Sequence, residues 1–306
     1  MNRVFNIYYP LLSILVFVAM LAGCNKPGPI DLTLPDQPQN PIDLVTPTNH
    51  SQLLSTNDID SLKILSPKDD QGFGQLLIEG SEYQSQTEHH SVSVARAIFY
   101  NNASPVVMNG DTVSFSTLNV GSVGVDLLNL QQIQKHYINP SGTVDSVLGV
   151  QYVLYDKDSA SGNGFLFHGS KAYHWHSLGT LTIPPFDKIV MTPPGIQVLS
   201  PNVQSIIRSS NNLTVRWTGG ADTVRIYVRS IENGFPAKTL FQLVVKDNRG
   251  SVLIPKTILG LLPKDQTQFL FTFTSSQTSL VNLGGISGDV EVQTVTTENI
   301  VLQVRP

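Results

Sequence analysis

The chain has 306 residues, a formal charge of −4 and a mean hydropathy of +0.02. A mildly acidic chain without a basic cluster is a poor fit for nucleic acid, and a single cysteine excludes any intramolecular disulfide. The length suits two domains with a linker.

At the amino terminus Arg3 supplies a positive charge ahead of the apolar stretch Leu11 to Leu21. That stretch has signal-peptide length and is too short to span a bilayer comfortably. It ends in Leu21-Ala22-Gly23-Cys24, which resembles the bacterial lipobox. The resemblance implies recognition of Leu21, Ala22 and Gly23 by the lipoprotein signal peptidase, diacylglycerol on the Cys24 thiol, and cleavage that makes Cys24 the first mature residue. The competing readings are a secretory signal peptide with Cys24 there by coincidence, or an uncleaved anchor. The sole cysteine falls at the one position the lipobox needs. Two or three acyl chains, at ~0.8 kcal/mol per buried CH₂, would make attachment effectively permanent. Loss of residues 1–23, which contain Arg3 as their only charged residue, would move the formal charge from −4 to −5. Asn25 stands where Asp would signal inner-membrane retention under the enterobacterial sorting rule, so the expected address is the outer membrane, on either face.

Residues 24–60 are rich in proline (Pro27, Pro29, Pro35, Pro38, Pro41 and Pro47) and show neither helical nor strand periodicity. They read as a flexible tether, reaching roughly 30 Å as a coil and about 100 Å as polyproline II. Residues 61–195 then carry short alternating or apolar runs bounded by Gly, Asn, Asp and Pro: Val92 to Tyr100, Thr112 to Ser116, Leu148 to Tyr155, Phe165 to His168, Ala172 to His176 and Leu181 to Ile183. These are signatures of short antiparallel strands, with Asn109-Gly110 suited to a type I′ hairpin turn. Asp126 to Tyr137 reads as a helix, with Asp126 as N-cap and Leu127, Leu130, Ile133 and Tyr137 on one face.

Prolines at 184, 185, 193 and 194 interrupt strand character, placing a boundary near Gly195. Residues 196–306 offer seven further runs, at Leu213 to Trp217, Thr223 to Arg229, Leu240 to Val245, Ser251 to Ile254, Phe269 to Thr274, Val290 to Val295 and Ile300 to Val304. That spacing predicts a sandwich. The fold class expected for the whole is therefore all-β, with two tandem β-sandwich domains behind a signal peptide and a disordered proline-rich tether. Asn212-Leu213-Thr214-Val215-Arg216-Trp217 followed by Val224-Arg225-Ile226-Tyr227-Val228 is similar to the second and third strands of fibronectin type III and related immunoglobulin-like domains. Leu259-Gly260-Leu261-Leu262-Pro263 ahead of Phe269 resembles the corner where that family carries a tyrosine. The resemblance implies a fold with a buried Trp217 and carries no activity. A six-residue echo, Leu62 to Pro67 against Ile196 to Pro201, fits either a repeated opening strand or a common strand exit.

The usual catalytic motifs and paired-cysteine metal spacings are missing, and nothing calls for a cofactor. The densest polar cluster is Tyr173-His174-Trp175-His176. On a strand His174 and His176 would share one side and Tyr173 and Trp175 the other. Two such imidazoles could hold Zn²⁺ with His168, His89 or His90; solvent-facing histidines opposite a buried aromatic face fit the same pattern. If Trp175 points outward, it and Tyr173 would form a ligand-binding platform able to stack on a sugar. Asp156, Asp158 and the following Ser, Gly and Asn residues offer oxygen ligands for Ca²⁺, although the EF-hand pattern is incomplete and a plain hairpin loop fits as well. Five Asp-Ser/Thr-apolar triplets, at Ser61, Thr112, Ser146, Ser159 and Thr223, resemble the O-glycosylation signal of exported proteins in Bacteroidetes. Strand starts following Asp turns produce the same triplet.

Motif poverty points to a non-catalytic envelope lipoprotein that binds a glycan or an envelope protein. The alternatives are a polymer-degrading hydrolase, using carboxylates such as Glu79, Glu82 or Asp187, and a passive spacer.

Overall fold

The computed structural model describes residues 42–45, 73–108, 111–138, 144–157, 165–181, 183–232, 234–283 and 288–306. The described residues belong to one compact unit. Cys24, the lipobox, Asn109-Gly110, the echo at residues 62–67 and most of the tether lie outside the described residues.

The chain is built almost entirely of strands. The first half runs β1 (Ile42–Val45), β2 (Gly74–Gln84), β3 (His89–Met108), β4 (Asp111–Thr117), β5 (Val123–Val125), β6 (Leu128–Asn129), β7 (Gln131–Ile138), β8 (Val144–Lys157), β9 (Ala172–Ser177) and β10 (Phe186–Met191). The second runs β11 (Gln197–Ser200), β12 (Ile206–Arg208), β13 (Leu213–Thr218), β14 (Val224–Glu232), β15 (Phe235–Val245), β16 (Ser251–Ile254), the single-turn helix α1 (Lys256–Leu259), β17 (Gln268–Asn282) and β18 (Asp289–Arg305).

Strand β18 organises the rest through the alternation of its side chains. Its even positions run apolar, polar, apolar: Val290 and Val292, then Thr294, Thr296 and Glu298, then Ile300, Leu302 and Val304. Val290 and Val292 pack in one hydrophobic core, and Ile300, Leu302 and Val304 in a second. Both cores therefore lie against the same face of one strand. That strand sits in an eleven-stranded sheet of order β1-β15-β14-β17-β18-β2-β3-β8-β7, with β4 beside β3. One edge of β18 pairs in parallel with β2 from Val290 to Ile300, then with β12 from Gln303 to Arg305.

Two smaller sheets complete the sandwiches. The four-stranded sheet β10-β9-β5-β6 closes the first core, where Phe186 meets Phe99 at a ring separation of 5.7 Å. The three-stranded sheet β11-β13-β16 closes the second, with Trp217 against Phe273 at 6.0 Å. Near Gly195 the chain passes from the first core to the second, yet the first is completed by Leu283, Val290 and Val292 from the far end of the sequence. The passage is pinned from β18: the backbone N–H of Ile196 donates to Thr296 Oγ1 at 3.1 Å, and that of Val198 donates to Glu298 Oε2.

Several local expectations change. Asp126 to Tyr137 is not a helix: Asp126 adopts φ 53°, Leu127 is 98% exposed at a hairpin tip between β5 and β6, and the remainder is β7, paired with β8. The apolar spacing that suggested a helical face is divided between a turn and a strand. Phe165 to His168 is not a strand, and Leu181 and Ile183 lie outside any strand. Within the stretch read as a spacer, β1 pairs antiparallel with Gln242–Val245.

Candidate functional site

The Tyr-His-Trp-His run forms most of β9, hydrogen-bonded between β10 and β5. Alternation turns Tyr173 and Trp175 inward, and both are fully buried in the first core. The Tyr173 hydroxyl donates to Leu166 O at 3.0 Å and accepts from the His168 N–H at 2.7 Å, which fixes the loop before β9. Burial pushes this hydroxyl's pKa up to about 12. The expected ligand-stacking platform is therefore corrected: neither ring presents a face to solvent, because each fills the space between the two sheets.

The outer face of β9 carries His174 and His176, with ring centres 5.6 Å apart. Asp187 on β10 lies directly across from His176, and its Oδ1 is 2.6 Å from His174 Nε2. The His176 ring lies against Gly124 so closely that a Cβ at residue 124 would collide with it. Beside His174, Asp126 performs two tasks: Oδ1 accepts the His174 backbone N–H at 2.9 Å, and Oδ2 accepts from Lys171 Nζ at 2.7 Å. Burial raises the Asp126 pKa, but the Lys171 and His174 contacts outweigh it and hold the carboxyl below its usual range. Lys171 Nζ also stands 4.4 Å above the Tyr173 ring centre, a cation–π contact. Ile189 and Met191 complete this face and are 66% and 56% exposed.

This surface offers two imidazoles, two carboxylates, an ammonium and two apolar side chains within one small sheet. Its chemistry suits polar and charged recognition. Among the described residues no three His, Cys, Asp or Glu side chains are placed to hold a metal ion. His168 joins the group only through its backbone. His89 and His90 lie on β3 in the large sheet, where His89 Nε2 is 3.5 Å from Glu82 and His90 stacks on Tyr83 at 4.7 Å.

The remaining sequence candidates are dispersed. Asp156 is 1% exposed at the end of β8, and neither of its oxygens has a hydrogen-bond partner among the described residues; Asp158, Ser159 and Ser61 lie outside the described residues. Thr112 is exposed on β4, whereas Ser146 and Thr223 are half-buried. Glu79 is buried on β2, on the opposite face from the core residues Leu76 and Ile78, so it points away from the sheet that carries Asp187. Desolvation pushes the Glu79 carboxyl up to about 7 against the opposing pull of Arg96. Sequence reasoning missed Asp126, Lys171 and Glu298. Asp126 and Lys171 are 45 residues apart and Glu298 is 100 from Val198, so no local pattern ties them together.

Comparison with known proteins finds no matching family model and no matching curated protein.

Proposed function

We propose that this chain is an exported, non-catalytic envelope lipoprotein, anchored through Cys24 in the outer membrane, whose outer β9–β10 face binds an envelope partner. The observation that carries the anchor is the sole cysteine at the end of Leu21-Ala22-Gly23-Cys24, directly after an apolar run of leader length. Among the described residues, no helix is long and apolar enough to cross a membrane. The second sandwich, with Trp217 and Phe269 buried, supports kinship with fibronectin type III and immunoglobulin-like modules, which commonly serve recognition.

The same geometry moves the choice of partner toward protein. A sugar-stacking platform needs an exposed aromatic face, and both rings of β9 are inside. Exposed Ile189 and Met191 flanked by His174, Lys171 and Asp187 instead combine apolar anchors with a charged border, the composition of a protein-binding patch.

Metabolic labelling with a fatty-acid analogue tests the anchor. The full chain should incorporate label, and Cys24→Ser should lose both label and membrane retention. Normal maturation and retention of Cys24→Ser overturn the reading. For the face, in-cell cross-linking should yield an adduct that Ile189→Asp with Met191→Asp abolishes; an unchanged adduct rejects this surface.

A further inference from the structure

Strand β1 carries a consequence for how the body is held. Ile42-Asp43-Leu44-Val45 pairs antiparallel with Val245, Val244, Leu243 and Gln242, adding a strand to the edge of β15. Pro41 precedes it and Pro47 follows two residues after it, so the ladder is bounded by residues that cannot donate a backbone hydrogen bond. An unpaired edge of β15 would offer its N–H and C=O groups to any extended chain, and a strand from the same polypeptide covers part of it at high effective concentration. From β1 the chain must return to β2, five strand spacings across the sheet, a span of about 24 Å. The 28 residues from 46 to 73 cover that distance readily.

We propose that the pairing of Ile42–Val45 with the edge of β15 at Gln242–Val245 clamps the leash to the C-terminal sandwich. The proposal rests on lipid attachment at Cys24. In sequence order the tether leads into the N-terminal half. With β1 docked, it enters the body through the C-terminal sandwich instead. Only the 17 residues from 25 to 41 then separate the anchor from the folded part. Their reach is roughly 20–25 Å as a coil and about 50 Å as polyproline II. The clamp therefore cuts the extended reach to about half that of the full proline-rich stretch and the coil reach to about 70% of it.

A cysteine pair tests this in the full chain expressed with its own leader. Asp43 and Val244 are register partners, and Val244 is only half-buried. Directly paired strand positions have Cα separations within disulfide range. Asp43→Cys with Val244→Cys should form an intramolecular disulfide under mild oxidation, identified by peptide mass. Asp43→Cys with Arg225→Cys is the control, because Arg225 lies one strand further in. The first pair should cross-link at least tenfold more than the control, and adding Leu44→Pro should reduce it to the control level. Cross-linking no greater than the control, or found only between two chains, overturns the docking. The mass of the amino-terminal peptide reports lipidation separately: an unlipidated chain with an intact 43–244 disulfide rejects the anchor and leaves the docked strand standing.

Discussion

The two sandwiches share a sheet, yet they treat their central tryptophans differently. In the second, Trp217 Nε1 donates to Asn248 Oδ1 at 2.9 Å, and the Asn248 amide donates in turn to Gly219 O and Ala221 O. In the first, the buried Trp175 indole N–H has no acceptor among the described residues. The polar atoms of one core are closed into a network, while the other core holds a donor that water would have satisfied in the unfolded chain. An unmatched buried donor costs about 1–3 kcal/mol, so the first sandwich keeps Trp175 for its volume. The contrast is confined to the tryptophans: beside Trp175 the Tyr173 hydroxyl is satisfied by Leu166 O and the His168 N–H, whereas in the C-terminal module the tryptophan itself is tied into the polar network.

The largest expected effect tests volume in both cores. Trp175→Ala and Trp217→Ala should each cost roughly 3–5 kcal/mol in denaturant unfolding, since both side chains are fully buried. Replacement by phenylalanine should separate the two sites. Trp217→Phe loses a satisfied hydrogen bond, whereas Trp175→Phe removes an unsatisfied donor, so Trp217→Phe should be the more destabilising by about 1–2 kcal/mol. Equal losses would mean that Trp175 finds an acceptor in solution.

Acidity tests the sheet that joins the sandwiches. Burial raises the Glu79 and Glu298 carboxyls to about 7. Glu298 is also raised by neighbouring Glu82, against the lowering effect of the Val198 N–H. The folded state therefore binds protons between about 4.5 and 7 that the unfolded state has released. Their favourable contribution is full below the unfolded pKa and is lost as pH rises through 7. Thermal midpoints should rise as pH falls from 8 to 5, by a free energy on the order of 1–2 kcal/mol. Glu79→Gln with Glu298→Gln should flatten that slope. Smallest of all, Asp187→Asn on the exposed face should change stability by about 0.5 kcal/mol or less, because the His174 contact is open to water.

Much of this architecture was legible in the sequence. Alternation marked β9, β13, β14 and β16, and the burial of Trp217 and Phe269 agrees with the expected sandwich. The strand at Gly74–Gln84 escaped notice because Leu76, Leu77 and Ile78 are all buried, so its middle shows no alternation. Val290 to Val295 and Ile300 to Val304 read as two strands because Thr296 to Asn299 between them are polar. Those residues are polar because they cross the junction, where Thr296 and Glu298 hold the backbone of the incoming chain. At the candidate site, alternation placed His174 and His176 together opposite Tyr173 and Trp175, but which side faced inward was undetermined until the opposing sheet was known. The Asp126–Lys171 and His174–Asp187 contacts depend on hairpin closure and register, which single-strand periodicity does not encode.

One continuous sheet, carried through β18, makes the two sandwiches a single body. Because each core contains one of the two tryptophans, fluorescence of Trp175→Phe reports on the second core and that of Trp217→Phe on the first. In each variant the fluorescence transition in denaturant should coincide with that variant's own loss of far-ultraviolet circular dichroism. A biphasic dichroism curve, with each tryptophan following a different phase, would show instead that the cores melt independently across β18 and are not one body.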